Sequence, residues 1–314
     1  MTFPSQVSYT LGSIFPILAI VENPNPPAYE RVALNDDADD SEAAPLAGAD
    51  AATNPTSASL RALSRLLYSV GGWRGSFRGI WCAAAYGVAV SVAGSFIGAF
   101  PFVPSFVGTL LACLALVQLS AAWAHIVITP SNPAPFYRRL PPLKRTFEAT
   151  CFPTLAVWLA TTLTTEVPRG IAYLLHLPIW DPSRPNDIPT YHWSDSWKGS
   201  IMAITSLAIY VFAFIPAYVV LVRVQASLLP PEEDTIVAVD RSFGNTVEPA
   251  IVGGKGFVTM KDAMKTVSRE SWIRIYLLQA KVFAVGVAVN ILMLAILLPE
   301  VILMSKSVVP EKGN

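Results

Sequence analysis

Long stretches without a single charged residue constrain this chain more than any other feature. Residues 80–100, 106–128 and 199–222 run for 21, 23 and 24 residues, with His125 near the end of the second. Two further runs, 149–165 and 282–298, have 17 residues each. About 20 apolar residues at 1.5 Å per residue cross a hydrocarbon core of roughly 30 Å. Backbone groups in lipid must find partners within their own segment, so such runs become helices. The expectation is an all-α, polytopic membrane helical bundle of about five transmembrane helices.

Composition points the same way. Of 314 residues, 53% are hydrophobic and only 14% charged, with a mean hydropathy of +0.48. Soluble domains carry about 25% charged residues. Lys+Arg and Asp+Glu are both 22, so the net charge is zero and no basic surface argues for nucleic acid. Cys82, Cys113 and Cys151 all lie in apolar runs, show no CxxC spacing, and read as small packing residues.

Residues 1–60 read as an N-terminal segment, mostly disordered, and 61–314 as the transmembrane domain. Within the first segment, 9–21 is apolar but short, interrupted by Pro16 and preceded by no Lys or Arg. It fits an interfacial or packing segment, with a cleaved signal as the alternative. Residues 22–58 are rich in Pro, Ala, Asp and Asn, a composition that favours disorder. They contain Asn35-Asp36-Asp37-Ala38-Asp39-Asp40, which matches the letters of diphosphate-binding DDxxD and NDxxD motifs. That chemistry needs carboxylates one helical turn apart around a cation. No apolar periodicity flanks this tract, so it reads as a solvated acidic linker.

Basic residues near the helix ends set the orientation. Counting Arg61, Arg65, Arg74 and Arg78 before the first run, Arg138, Arg139, Lys144 and Arg145 in the second connection, and the seven from Arg223 to Arg274 in the fourth, fifteen Lys and Arg fall on one side. Five fall in the third connection and the tail, and none in 101–105. The bias puts the N-terminus in the cytosol, the C-terminus outside or in a lumen, and the connection at about 223–281 in the cytosol. Trp180, Tyr191, Trp193 and Trp197 suit the opposite interface. The apolar segment 170–180 is open to three readings: re-entrant, surface-lying, or one half of a span broken at Pro168 and Arg169.

Several features could carry interactions or chemistry. Ala83, Gly87, Ser91, Gly94 and Gly98 form a small-residue stripe containing a GxxxG match. It suits close packing inside the bundle, or a homo-oligomer or membrane partner through the Gly94/Gly98 face. Gln118, Thr161, Thr162, Thr205, Ser206 and Asn290 lie within the runs and are expected to hydrogen-bond between helices. His125, Glu148, Arg223, Arg274 and Lys281 collect at one membrane edge; Glu166, His176, Asp181 and His192 collect at the other. Either group could supply acid–base pairs. No HExxH, phosphate loop or mid-membrane charge pair is present, so no catalytic, cofactor-binding or metal-ligating residue is assigned and no cofactor is expected. Residues 259–281 read as one amphipathic helix capped by Thr259, with a Glu270–Arg274 pair, lying on the cytosolic leaflet.

Before that helix stands LPPEEDTIVAVDRSFG, residues 229–244. This pattern and the aromatic, basic amphipathic run after it resemble uncharacterised multi-pass membrane proteins of filamentous fungi, over about the last 100 residues. The resemblance implies a fungal membrane protein, in some cases beside a natural-product pathway. Three function classes follow: an accessory or scaffold component, a cofactor-free membrane enzyme on a lipophilic metabolite, and a transporter. Unequal connections give no sign of the internal repeats common in transporters.

Overall fold

The computed structural model describes residues 9–23, 56–132, 134–177, 193–244, 246–247 and 254–308. The acidic tract at 36–40, together with Trp180, Asp181 and His192, lies outside them. The described residues are all helix, turn and loop, and the chain divides into two units, Met1–Arg78 with Ser268–Asn314, and Gly79–Val267.

In the first unit, α1 spans Thr10–Val21, opening with a π turn at Thr10–Ile14. Ile14, Ile17 and Leu18, within the apolar segment 9–21, are fully buried. The Tyr9 hydroxyl donates to the Arg78 carbonyl at 2.9 Å and Thr10 Oγ1 to that of Ser76 at 2.7 Å. Helix α2, Leu60–Gly75, is interrupted at Gly71 and Gly72, where φ is +58° at Gly72, a backbone that favours glycine. The other partner is the start of a 40-residue helix, Arg269–Val308, numbered α9 below.

The second unit begins with a tight hairpin of α3, Ile80–Gly98, and α4, Ser105–Ala115. Then come α5 at Val117–Ile128 and α6 at Leu143–Leu174. Helix α7, Trp193–Ser227, contains a π turn at Tyr210–Phe214 just before Pro216. Short α8 covers Met260–Lys265. Three helices are long and apolar enough to cross a membrane: α3, α7 and the Arg269–Leu297 part of α9. The bent pair α4–α5 makes a fourth if taken as one span. Their apolar side chains point outward: Val88, Val92 and Phe96 are 65%, 66% and 70% exposed, and nothing in the most apolar stretch of α9 is buried. Exposed apolar surface on this scale needs lipid to cover it. This is the build of a helical membrane protein.

Three expectations about the elements need correction. The run 106–128 is not one straight helix but bends by 59° at Leu116. Segment 170–180, described as far as residue 177, is not set off by a break at Pro168 and Arg169, because α6 continues through Pro153 and Pro168 to Leu174. The amphipathic stretch 259–281 is two helices. The Thr259 cap is as expected, with its Oγ1 accepting from the Asp262 N–H at 3.3 Å. A second cap follows at Ser268, whose hydroxyl accepts from the Ser271 N–H at 3.1 Å and starts α9.

The Gly94/Gly98 stripe is the seat of α4. A Cβ on Gly108 would stand 2.5 Å from the Gly94 carbonyl oxygen, and one on Gly98 would stand 3.1 Å from Ser105 Cα. The two backbones meet there with no room for side chains, the close packing inside the bundle that the stripe suits.

Candidate functional site

The ionisable and polar groups singled out above sort into separate environments rather than one cavity. His125, at the end of α5, is buried, with Nε2 2.8 Å from the Gln225 carbonyl oxygen of α7. A carbonyl only accepts, so Nε2 carries the proton. The Gln225 amide nitrogen donates to Ser120 Oγ at 2.9 Å. These hydrogen bonds tie α5 and α7 together.

Glu166 and Arg169 pair at 3.4 Å on the exposed face of α6. His176 ends that helix with φ +50°, and the next N–H, of Leu177, closes onto the Ala172 carbonyl at 2.9 Å, a left-handed C-cap. The hydroxyls expected to bridge helices mostly bond within their own. Thr161 and Thr162 donate to the carbonyls of Val157 and Trp158, and the Asn290 amide donates to Gly286. Gln118 alone among these reaches another segment, the Pro141 carbonyl at 2.7 Å. Side-chain and backbone groups four residues apart on a helix meet at no cost in tertiary order, which is why threonine chooses the local carbonyl.

At the end of the unit where α5 and α7 finish and α6 begins, four arginines organise the connection after α7. Arg139 donates to Thr129 Oγ1 at 2.8 Å and pairs with Glu233 at 3.2 Å. Arg241 donates to the carbonyls of Pro230, Pro231 and Glu233. Arg223 donates to Thr266 Oγ1 at 2.9 Å and stacks over Phe243 at 5.0 Å, in place of reaching for headgroups. Arg145 donates to the Gly256 carbonyl. Asp240 closes the turn, accepting from Ser242 N at 2.9 Å, Ser242 Oγ at 2.6 Å and Gly244 N at 2.8 Å. Burial alone would raise its carboxyl, but those hydrogen bonds hold it below the usual carboxylate range. Residues 229–244, which carry the resemblance noted above, are thus the residues that fold this loop.

Beside the loop lies a cavity of 480 Å³ lined by Arg145, Glu148, Phe152 and Pro153 of α6 and by Lys255, Phe257 and Met260. Of the acid–base candidates, Glu148 is the one it contains. Sequence reasoning missed Arg145, Lys255 and Phe257 because their meeting is tertiary. The charged, aromatic run around 255–260 was its faint signal. Among the described residues no three His, Cys, Asp or Glu side chains converge as metal ligands.

No protein-family model, curated protein or solved structure matches the chain.

Proposed function

We propose that the chain is a multi-pass membrane protein acting as an accessory or scaffold component, with its arginine-braced connection at 223–281 displayed in the cytosol. The observation that carries this reading is the connection itself. Arg139, Arg145 and Arg223 hold it against the helix ends and Arg241 ties it to itself, giving a defined surface at one end of the bundle. A long connection folded at this cost in ordering is suited to recognition by a membrane or protein partner. The topology proposed with it has five crossings and a cytosolic N-terminus. Helix α6 supplies the fifth crossing: its 32 residues are long enough, and hydroxyls at Thr150, Thr161, Thr162 and Thr164 bond to its own carbonyls, so threonine content does not bar it from lipid. The resemblance at 229–244 adds a fungal metabolic setting to the proposal.

The second reading, a cofactor-free enzyme on a lipophilic metabolite, draws on Glu148 in its cavity of aromatic and cationic groups. The two are separated by purifying the full chain in detergent and assaying it alone with the metabolites that accumulate when its gene is deleted. No turnover is expected. Turnover that Glu148→Gln or Glu166→Gln abolishes would overturn the accessory role.

A further inference from the structure

Met260 lines both the 480 Å³ cavity and a second, almost wholly apolar groove of 550 Å³ formed by Ala156 of α6, Pro216, Ala217 and Val220 of α7, and Met264 of α8, with Lys261 and Lys265 also lining it. Ala156 lies one helical turn beyond Phe152 and Pro153, so head cavity and groove are neighbours along α6. Each is the size of an ordinary small-molecule site.

Among the described residues the charged groups at the head form no ion pair, and Arg145 gives one N–H to the Gly256 carbonyl. Arg145 and Lys255 face the cavity with Glu148, yet no ion pair joins Glu148 to either among the described residues. Two cations and a separate carboxylate above an apolar trough match a molecule with an anionic group, an ammonium and a hydrocarbon tail. Basic pockets at the ends of membrane helices take phospholipid headgroups by the same chemistry.

We propose that the adjoining cavity and groove together bind one amine-bearing glycerophospholipid. Its phosphate meets Arg145 and Lys255, its ammonium meets Glu148, and one acyl chain lies along Ala156, Pro216, Ala217 and Val220. The inference rests on the membrane reading of the bundle and not on the accessory role.

Native mass spectrometry of the full chain in detergent, titrated with phosphatidylethanolamine, phosphatidylcholine or phosphatidic acid of equal chain length, tests it. Phosphatidylethanolamine is expected to bind tightest, because only a primary ammonium donates hydrogen bonds to Glu148. Glu148→Gln should erase its advantage over phosphatidic acid. Lys255→Gln, at an exposed position, should weaken both about tenfold, the effect of losing one charge-assisted contact. Ala156→Trp fills the groove and should weaken all three lipids; if that variant fails to fold, Lys255→Gln carries the test. Water-soluble phosphoethanolamine, lacking the tail, should not displace the lipid. Equal binding of the three lipids, indifference to Glu148→Gln and Lys255→Gln, or displacement by phosphoethanolamine would each overturn the proposal. None of these outcomes depends on turnover, so the assay above fails or succeeds separately.

Discussion

Glu22 and Arg274 stand 252 positions apart and form the most enclosed ion pair described here, at 3.5 Å with side chains 6% and 8% exposed. Glu22 also accepts from the backbone and hydroxyls of Thr56 and Ser57. Arg274 donates to the carbonyls of Ala19 and Glu22 at the C-terminal end of α1, where a cation complements the helix dipole. The local Glu270–Arg274 pair expected from their spacing gives way to this one because a buried guanidinium gains more from three converging acceptors than from one exposed carboxylate. Removing one partner of such a pair strands the other charge, at a cost of about 3–5 kcal/mol. Glu22→Ala should therefore lower the thermal midpoint in detergent markedly, and the double replacement by Met should recover much of the loss. A midpoint unchanged in Glu22→Ala would mean the pair does not hold the unit together.

Asp240 makes a pH prediction whose sign is fixed. Its carboxyl sits below the usual range, so its contribution is present above the unfolded value of about 3.9 and is lost as pH falls through the lower folded value. Protease cleavage of residues 228–247 should rise as the pH drops toward 3. Asp240→Asn should be cleaved readily at pH 7 already. Equal resistance of variant and wild type at pH 7 would show that the turn does not depend on the carboxylate.

At the scale of elements, the α3–α4 hairpin is the sharpest case. Its glycines let two backbones touch, and Gly108 is the tightest point. Gly108→Ala forces a Cβ to within 2.5 Å of a carbonyl oxygen, which something must yield to accommodate. Overpacking of this kind costs about 1–3 kcal/mol. The variant should unfold at lower temperature, whereas Gly87→Ala on the other helix of the hairpin, α3, with open space around it, should be neutral or stabilising. Equal effects would contradict the close packing.

The stripe that produces this hairpin was legible from residues 83–98 alone, but its partner Gly108 was not, because nothing in the sequence says which helix covers the stripe. The bend at Leu116 has no Pro or Gly to announce it. Conversely, Pro168 announces a break that does not occur, since a missing N–H inside a helix is tolerated where neighbouring turns hold their shape. Ser268 did carry a capping signal, but unbroken apolar periodicity across 259–281 concealed it.

For the whole molecule, the helical membrane class follows from the apolar runs, because lipid allows few alternatives. The site is another matter. Arg145, Glu148 and Lys255 belong to segments about 110 residues apart and meet only because the connection after α7 folds back, with Arg145 gripping Gly256. Pairings set by long loops are not written in local pattern. The acid–base candidates are likewise dispersed by structural roles that chemistry alone does not reveal: His125 joins helices and His176 caps one.

The proposed topology has five crossings, with the N-terminus and the 223–281 connection in the cytosol. Tags at both ends, exposed to protease in sealed vesicles that present the cytosolic face, decide it. The N-terminal tag should be cleaved and the C-terminal tag protected. Cleavage of both would require an even number of crossings, and protection of the N-terminal tag with loss of the C-terminal one would reverse the orientation; either result contradicts the proposed topology.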